Sequence, residues 1–408
     1  SNTAVGTSAL TTNVSGGANI AIGVNALRLN TASNNLAVGH CAMDTNSSGT
    51  ENTALGFVAL NKNTTGDFNT ALGRGSLNAN TTGTSNTAFG TRALTTNTVG
   101  NRNSAFGFDA LRYNTIGSGN SAFGYRALRQ DTTGSANTGF GYQALFYNTV
   151  GSTNTAIGFH ALLNNTTSDN TAVGYNALTS NTTGAYNASF GSIALQSNTF
   201  GQSNSAFGVF ALTANTTGSN NTAVGNFALQ SNTIGANNNA FGFYSLNANT
   251  TGVKNSAFGT NALRNNTIGI QNSAFGQAAL LYNTTGSRNS AFGLYALYKN
   301  VVGVNNVAFG QGSLSNNLAS NNTAFGYSAL NTNTTGTSNV AVGLDSLANN
   351  TIASNNTAVG FRSLFTNTTG ANNTAVGQQA LRLNVIGSNN AAFGTYALYN
   401  NTTNNNSA

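Results

Sequence analysis

The sequence predicts an all-β fold: a parallel β-solenoid (β-roll) of about 24 coils with a 17-residue repeat, running through residues 1–408 as a single array. Three observations predict it. NTAFGTRALTTNTVGNR, from Asn86, returns as NSAFGFDALRYNTIGSG from Asn103 and as NSAFGYRALRQDTTGSA from Asn120. Self-similarity at a short fixed period is the mark of a repeat architecture. Apolar residues recur at fixed places in the unit with no helical period. Two glycines in most units, with many β-branched residues, disfavour a helix.

Numbering the unit from its first Asn, repeats start at Asn2, Asn19, Asn35 and so on to Asn390. Most steps are 17 residues, and a few are 16, such as Asn154 to Asn170. The short units lose a residue near position 15, and a deletion tolerated there marks a turn. Position 5 is always Gly, which implies positive φ or a close backbone approach. Position 4 is a large apolar residue, mostly Phe from Phe89 to Phe325, and position 9 is Leu except for Met43. Position 8 is Ala or Ser, and position 12 is Asn except for Asp131.

Taken in order, NTAFG reads as a short strand, with positions 2 and 4 on one face and positions 1, 3 and 5 on the other. A bend follows at the Gly. The xxAL segment is expected to form a second short strand with its Leu inward, and NT[TVI]G a turn or third edge. No unit can bury a core alone, so stacking must supply one. The expected core is a column of positions 4 and 9: Phe89, Leu94, Phe106, Leu111, Phe123, Leu128, Phe241 and Leu246. Asn86, Asn97, Asn103 and Asn114 are expected to form hydrogen-bonded ladders from coil to coil, with Gly90 and Gly107 at the bends. At one strand spacing per coil, the array would be a rod on the order of 115 Å long. The N-T-T triplets, such as Asn63-Thr64-Thr65, also match a glycosylation acceptor, a pattern that Asn- and Thr-rich composition produces by itself.

Composition excludes much. Charged residues are 5% of the chain, against about 25% in typical domains. The formal charge of +7 comes from 14 basic and 7 acidic residues spread along the sequence. No basic cluster of the kind a nucleic-acid groove needs is visible, so no nucleic-acid partner is expected. The single Cys41 permits no intramolecular disulfide. No apolar run reaches the roughly 18 residues of a membrane span. The array begins and stops within repeats, without distinct capping units, so an N-terminal anchor and a C-terminal domain are expected beyond it.

Catalytic chemistry has no visible constellation. His40 and His160 lie far apart at variable positions, and Cys41 beside His40 lacks further metal ligands. The acidic residues form no acid–base pair. Asp131 reads as a substitute for a ladder Asn. No phosphate-binding glycine loop precedes a helix. No enzyme activity, cofactor or metal is therefore expected.

The NTAFG and NSAFG motifs, with fixed Gly and alternating apolar residues, resemble the head repeats of YadA-type trimeric autotransporter adhesins. The 17-residue unit is also similar to arrays in phage-type tail-fibre proteins that carry a C-terminal intramolecular chaperone. The adhesin head unit is shorter, and no stalk, anchor or chaperone segment is present here. The resemblance implies a left-handed roll, a trimer, and a role as an extracellular, cell-surface or virion fibre. Variable positions 6, 7, 10 and 11 carry aromatics such as Tyr113, Tyr125, Phe146, Tyr147, Phe210 and Tyr298. Aligned in columns, these could form an apolar stripe for self-association. The functional expectation is a structural fibre or filament shaft with an adhesive or display role, partnered by itself and by cell-surface or glycan contacts. The alternative is an ice-binding solenoid, suggested by the unbroken Thr at position 13 from Thr64 to Thr284.

Overall fold

The computed structural model describes residues 1–408 and contains 24 strands of three residues each, with no helix. They fall into two compact units, Ser1–Asn204 and Ser205–Ala408. The first holds β1 (Thr3–Val5) to β12 (Ala188–Phe190), and the second β13 (Ser205–Phe207) to β24 (Ala391–Phe393). Within each unit every strand pairs in parallel with the next, one repeat on. Thr87, Ala88 and Phe89 pair with Ser104, Ala105 and Phe106. Ser256, Ala257 and Phe258 pair with Ser273, Ala274 and Phe275. The chain is a parallel β-solenoid.

Pairing continues outside the strands, and its direction alternates. Leu94 N–H donates to Ala110 C=O of the next coil at 3.0 Å, while Gly90 N–H donates to Leu72 C=O of the preceding coil at 2.8 Å. The ladder thus satisfies backbone groups around most of each coil, as a thin stack without helices requires.

The second short strand does not form. Positions 6–11 are turn in every complete coil. Positions 7 and 9 adopt left-handed backbone, as at Arg92 (φ 59°) and Leu94 (φ 50°), and two left-handed residues cannot lie in a strand. This explains why position 9 is Leu rather than Val or Ile. Left-handed backbone crowds Cβ, and a residue branched at Cγ tolerates this better than one branched at Cβ. The Leu still points inward, as expected.

The core differs from the expected one. Leu94, Leu111, Leu128 and Leu246 are fully buried, together with Ala88 and Ala93 and their counterparts at positions 3 and 8. The position 4 rings lie on the outer face. Phe89 is 51% exposed, and Phe106, Phe123 and Phe241 are half-buried. The reason is the strand alternation itself: in a three-residue strand whose middle Ala faces inward, positions 2 and 4 must face outward. The apolar part of the interior holds one Leu and two small residues per coil. Ser at position 8 is accommodated because its hydroxyl donates to the position 5 carbonyl, as from Ser245 to Gly242 at 2.9 Å.

Two asparagine columns complete the interior. The Oδ1 of Asn86 accepts from the backbone N–H of Asn103 at 3.0 Å, and Asn86 Nδ2 donates to Gly100 C=O at 2.8 Å. Asn114 Nδ2 donates to Asn97 Oδ1 at 2.7 Å and to Gly117 C=O at 3.0 Å. Asn86, Asn97, Asn103 and Asn114 are wholly buried. Asn63 is wholly buried too, so the folded chain leaves no room there for a glycan. Gly90 and Gly107 sit at φ 139° and 137°, and a Cβ on Gly107 would lie 2.4 Å from the Gly124 carbonyl oxygen. Both the backbone angle and the coil spacing therefore demand glycine.

Candidate functional site: the aromatic columns and an arginine cluster

The coil register turns variable positions into columns on the surface. At position 4, Phe89, Phe106, Phe123 and Phe140 stack with centroids 6.0, 4.7 and 5.5 Å apart. In the second unit, Phe241, Phe258, Phe275, Phe292, Phe309 and Phe325 form a column of six. At position 6, Phe108, Tyr125, Tyr142, Phe159 and Tyr175 form another, with spacings of 5.1–5.5 Å. Ring–ring stacking stabilises each step by about 0.5–1.5 kcal/mol. It covers the ring faces and leaves the edges to solvent. Position 14 adds exposed Val99, Ile116 and Val150 on a different part of the coil. Together these columns leave apolar surface exposed on the outside of the coils.

Positions 7 and 10 carry the main charged feature. Asp109 at position 7 is completely buried, and four arginines surround it. Arg92 lies 2.8 Å away, Arg129 3.4 Å, Arg112 3.5 Å and Arg126 3.9 Å. Arg92 and Arg126 come from the same column in the coils on either side. Arg112 and Arg129 come from the neighbouring position 10 column. The expectation that basic residues form no cluster is thus corrected. The four lie up to 37 residues apart (129 − 92), and the 17-residue register gathers them. Each guanidinium also packs on an aromatic ring, Arg92 on Phe108 and Arg126 on Tyr125 at 4.8 Å, and both Arg112 and Arg129 on Tyr113 at 5.0 Å. Such cation–π contacts hold the forks in place while their outer edges stay accessible.

Elsewhere Arg and Asp pair one to one on adjacent coils, Arg28 with Asp44 at 2.7 Å and Arg362 with Asp345 at 3.1 Å. The bond to Asp44 raises the Arg28 pKa.

The remaining polar candidates are dispersed. His160 bonds Gln143 Oε1 at 2.9 Å and packs against Phe159, and burial lowers its pKa. His40 stacks on Phe57 at 5.3 Å. Cys41 is a half-buried free thiol. No group of three or more His, Cys, Asp and Glu side chains has the geometry to hold a metal ion. The position 13 threonines use their hydroxyls within the stack, Thr98 donating to Thr115 C=O and Thr115 to Thr132 C=O. Asp131 takes the ladder place of Asn. Its Oδ1 accepts from Gly134 N–H at 3.0 Å, while its Oδ2 and the Asn114 Oδ1 of the preceding coil are both buried without partners. Desolvation pushes its pKa up to about 8.

A dent interrupts the surface of the second unit. Gly312 and Ser315 place small residues between Tyr295 and Tyr298 on one side and Tyr327 on the other, enclosing about 410 Å³.

In comparisons with known proteins, no family model and no curated protein matches the chain.

Proposed function

We propose that the chain is the shaft of a structural fibre or filament that associates with copies of itself and displays adhesive contacts. The observation that carries this reading is the set of registered aromatic columns on the outside of the coil stack. A folded single chain removes only part of each ring from water. Their outer edges form a continuous apolar stripe, which a second or third copy can cover and thereby remove from water. Buried asparagine ladders supply rigidity along the stack, and the variable positions supply surface chemistry. The resemblance to trimeric adhesin heads and tail-fibre arrays supports three copies and an extracellular, cell-surface or virion setting.

Sedimentation equilibrium and electron microscopy of the full chain test the proposal. The expected result is a particle of about three times 41.4 kDa that is elongated along the coil axis. A monomeric compact particle at micromolar concentration would refute it.

A further inference from the structure

We propose that the arginine cluster around Asp109 is a binding site for an anionic polysaccharide, whose carboxylate or sulfate groups engage the guanidinium charge left after Asp109 is neutralised. This deepens the adhesive part of the proposed function and rests on it.

Four guanidinium groups and one carboxylate leave 4 − 1 = 3 positive charges within three successive coils, in a chain with only 14 basic residues. Like charges held this close repel. A fold needing only an ion pair achieves one with a single Arg, as Arg28–Asp44 and Arg362–Asp345 show. Buried Asp109 fixes the arginines, and their side chains remain 17–38% exposed. Guanidinium forks match carboxylate and sulfate oxygens in a bidentate way. The charges follow two adjacent columns along the coil axis, which suits a linear chain lying along the stack. The state of the ring faces favours polysaccharide over single-stranded nucleic acid. Base binding needs free ring faces as platforms. Here the position 6 rings cover one another, and the faces of Phe108, Tyr125 and Tyr113 also carry arginines.

The test is titration calorimetry of the full chain with heparin, polygalacturonate, dextran and an oligo-dT of similar length, at about 0.15 M salt, where surface charges beyond roughly 8 Å are screened. At least one anionic polysaccharide should bind, and dextran should not. Arg112→Gln with Arg129→Gln, which leaves Arg92 to pair Asp109, should weaken binding at least tenfold. The distant pair Arg264→Gln with Arg288→Gln should change it less than twofold. On the wild-type chain, the bound polysaccharide should protect Arg112 and Arg129, but not Arg264, from phenylglyoxal; this readout needs no variant. Absence of binding, equal weakening by the distant pair, or tighter binding of oligo-dT would overturn the proposal. Particle size is measured separately, so a chain that associates without binding sugar removes this site and leaves the fibre reading intact. A monomer that binds sugar does the reverse.

Discussion

Leu94 and Phe89 belong to one coil and lie five residues apart, yet truncation should affect them very differently. Leu94 is fully buried beside Ala88 and Ala93. Its backbone is held to the next coil by the 3.0 Å bond to Ala110, and its carbonyl accepts from Asn97 at 3.3 Å. The ladder fixes the coil spacing, so the walls cannot close on the vacancy. Leu94→Ala should therefore cost about 2–5 kcal/mol, the usual range for a buried Leu whose cavity persists. Phe89 is half exposed and contacts one ring, Phe106, at 6.0 Å. In a dilute, unassociated chain Phe89→Ala loses one weak stack and the burial of about half a ring, roughly 1–2 kcal/mol in all, and leaves no enclosed cavity. Stability in a repeat array is a sum of local terms, so a global melt would blur the difference. Amide hydrogen exchange read at Ala88, Leu94 and Asn97 resolves it. Leu94→Ala should speed exchange there about 30-fold or more, and Phe89→Ala by less. Equal or larger acceleration by Phe89→Ala would refute the assignment of Leu and Ala, rather than Phe, to the interior.

Three further outcomes follow from particular residues. Asp131 has a raised folded-state pKa, so its contribution to stability is fully present below the unfolded value near 4 and is lost as pH rises toward about 8; Asp131→Asn should abolish that loss, raising urea resistance at pH 8–9 by a few kcal/mol at most and changing little at pH 4. Gly107→Ala places a methyl 2.4 Å from the Gly124 oxygen at φ 137°, and should cost more than about 3 kcal/mol, seen as exchange across both coils. Val58 holds left-handed backbone at φ 50° although branched at Cβ, so Val58→Asn should stabilise its coil by about 1 kcal/mol in the same exchange measurement.

Much of this was legible in the sequence, because stacking a constant unit turns sequence positions into spatial columns. Parallel pairing, inward Leu, Asn ladders at positions 1 and 12, and obligatory Gly at position 5 all follow from that; the burial of both Asn columns does not, because it depends on which strand face turns inward. Size and apolarity point Phe toward the core, whereas strand alternation about the inward Ala sends position 4 outward. The alternation was visible: NTAFG sets Ala and Phe on opposite faces, and only one can face inward. The xxAL segment failed as a strand because left-handed backbone at positions 7 and 9 leaves no mark in composition, apart from the avoidance of β-branched residues at position 9. The arginine cluster is invisible to a count of charges along the chain. Counting them by column places Arg92, Asp109 and Arg126 in one line and Arg112 and Arg129 in the next.

The rings lie on the outside of the coil stack, and we propose that they join copies of the chain. Replacing Phe241, Phe258, Phe275 and Phe292 by Thr, a strand-compatible residue already common at the outward position 2, tests it in one sedimentation experiment with circular dichroism alongside. The predicted result is an unchanged β spectrum and a fall in mass toward 41.4 kDa. A folded variant that keeps the mass of the parent, or one that unfolds, would contradict it.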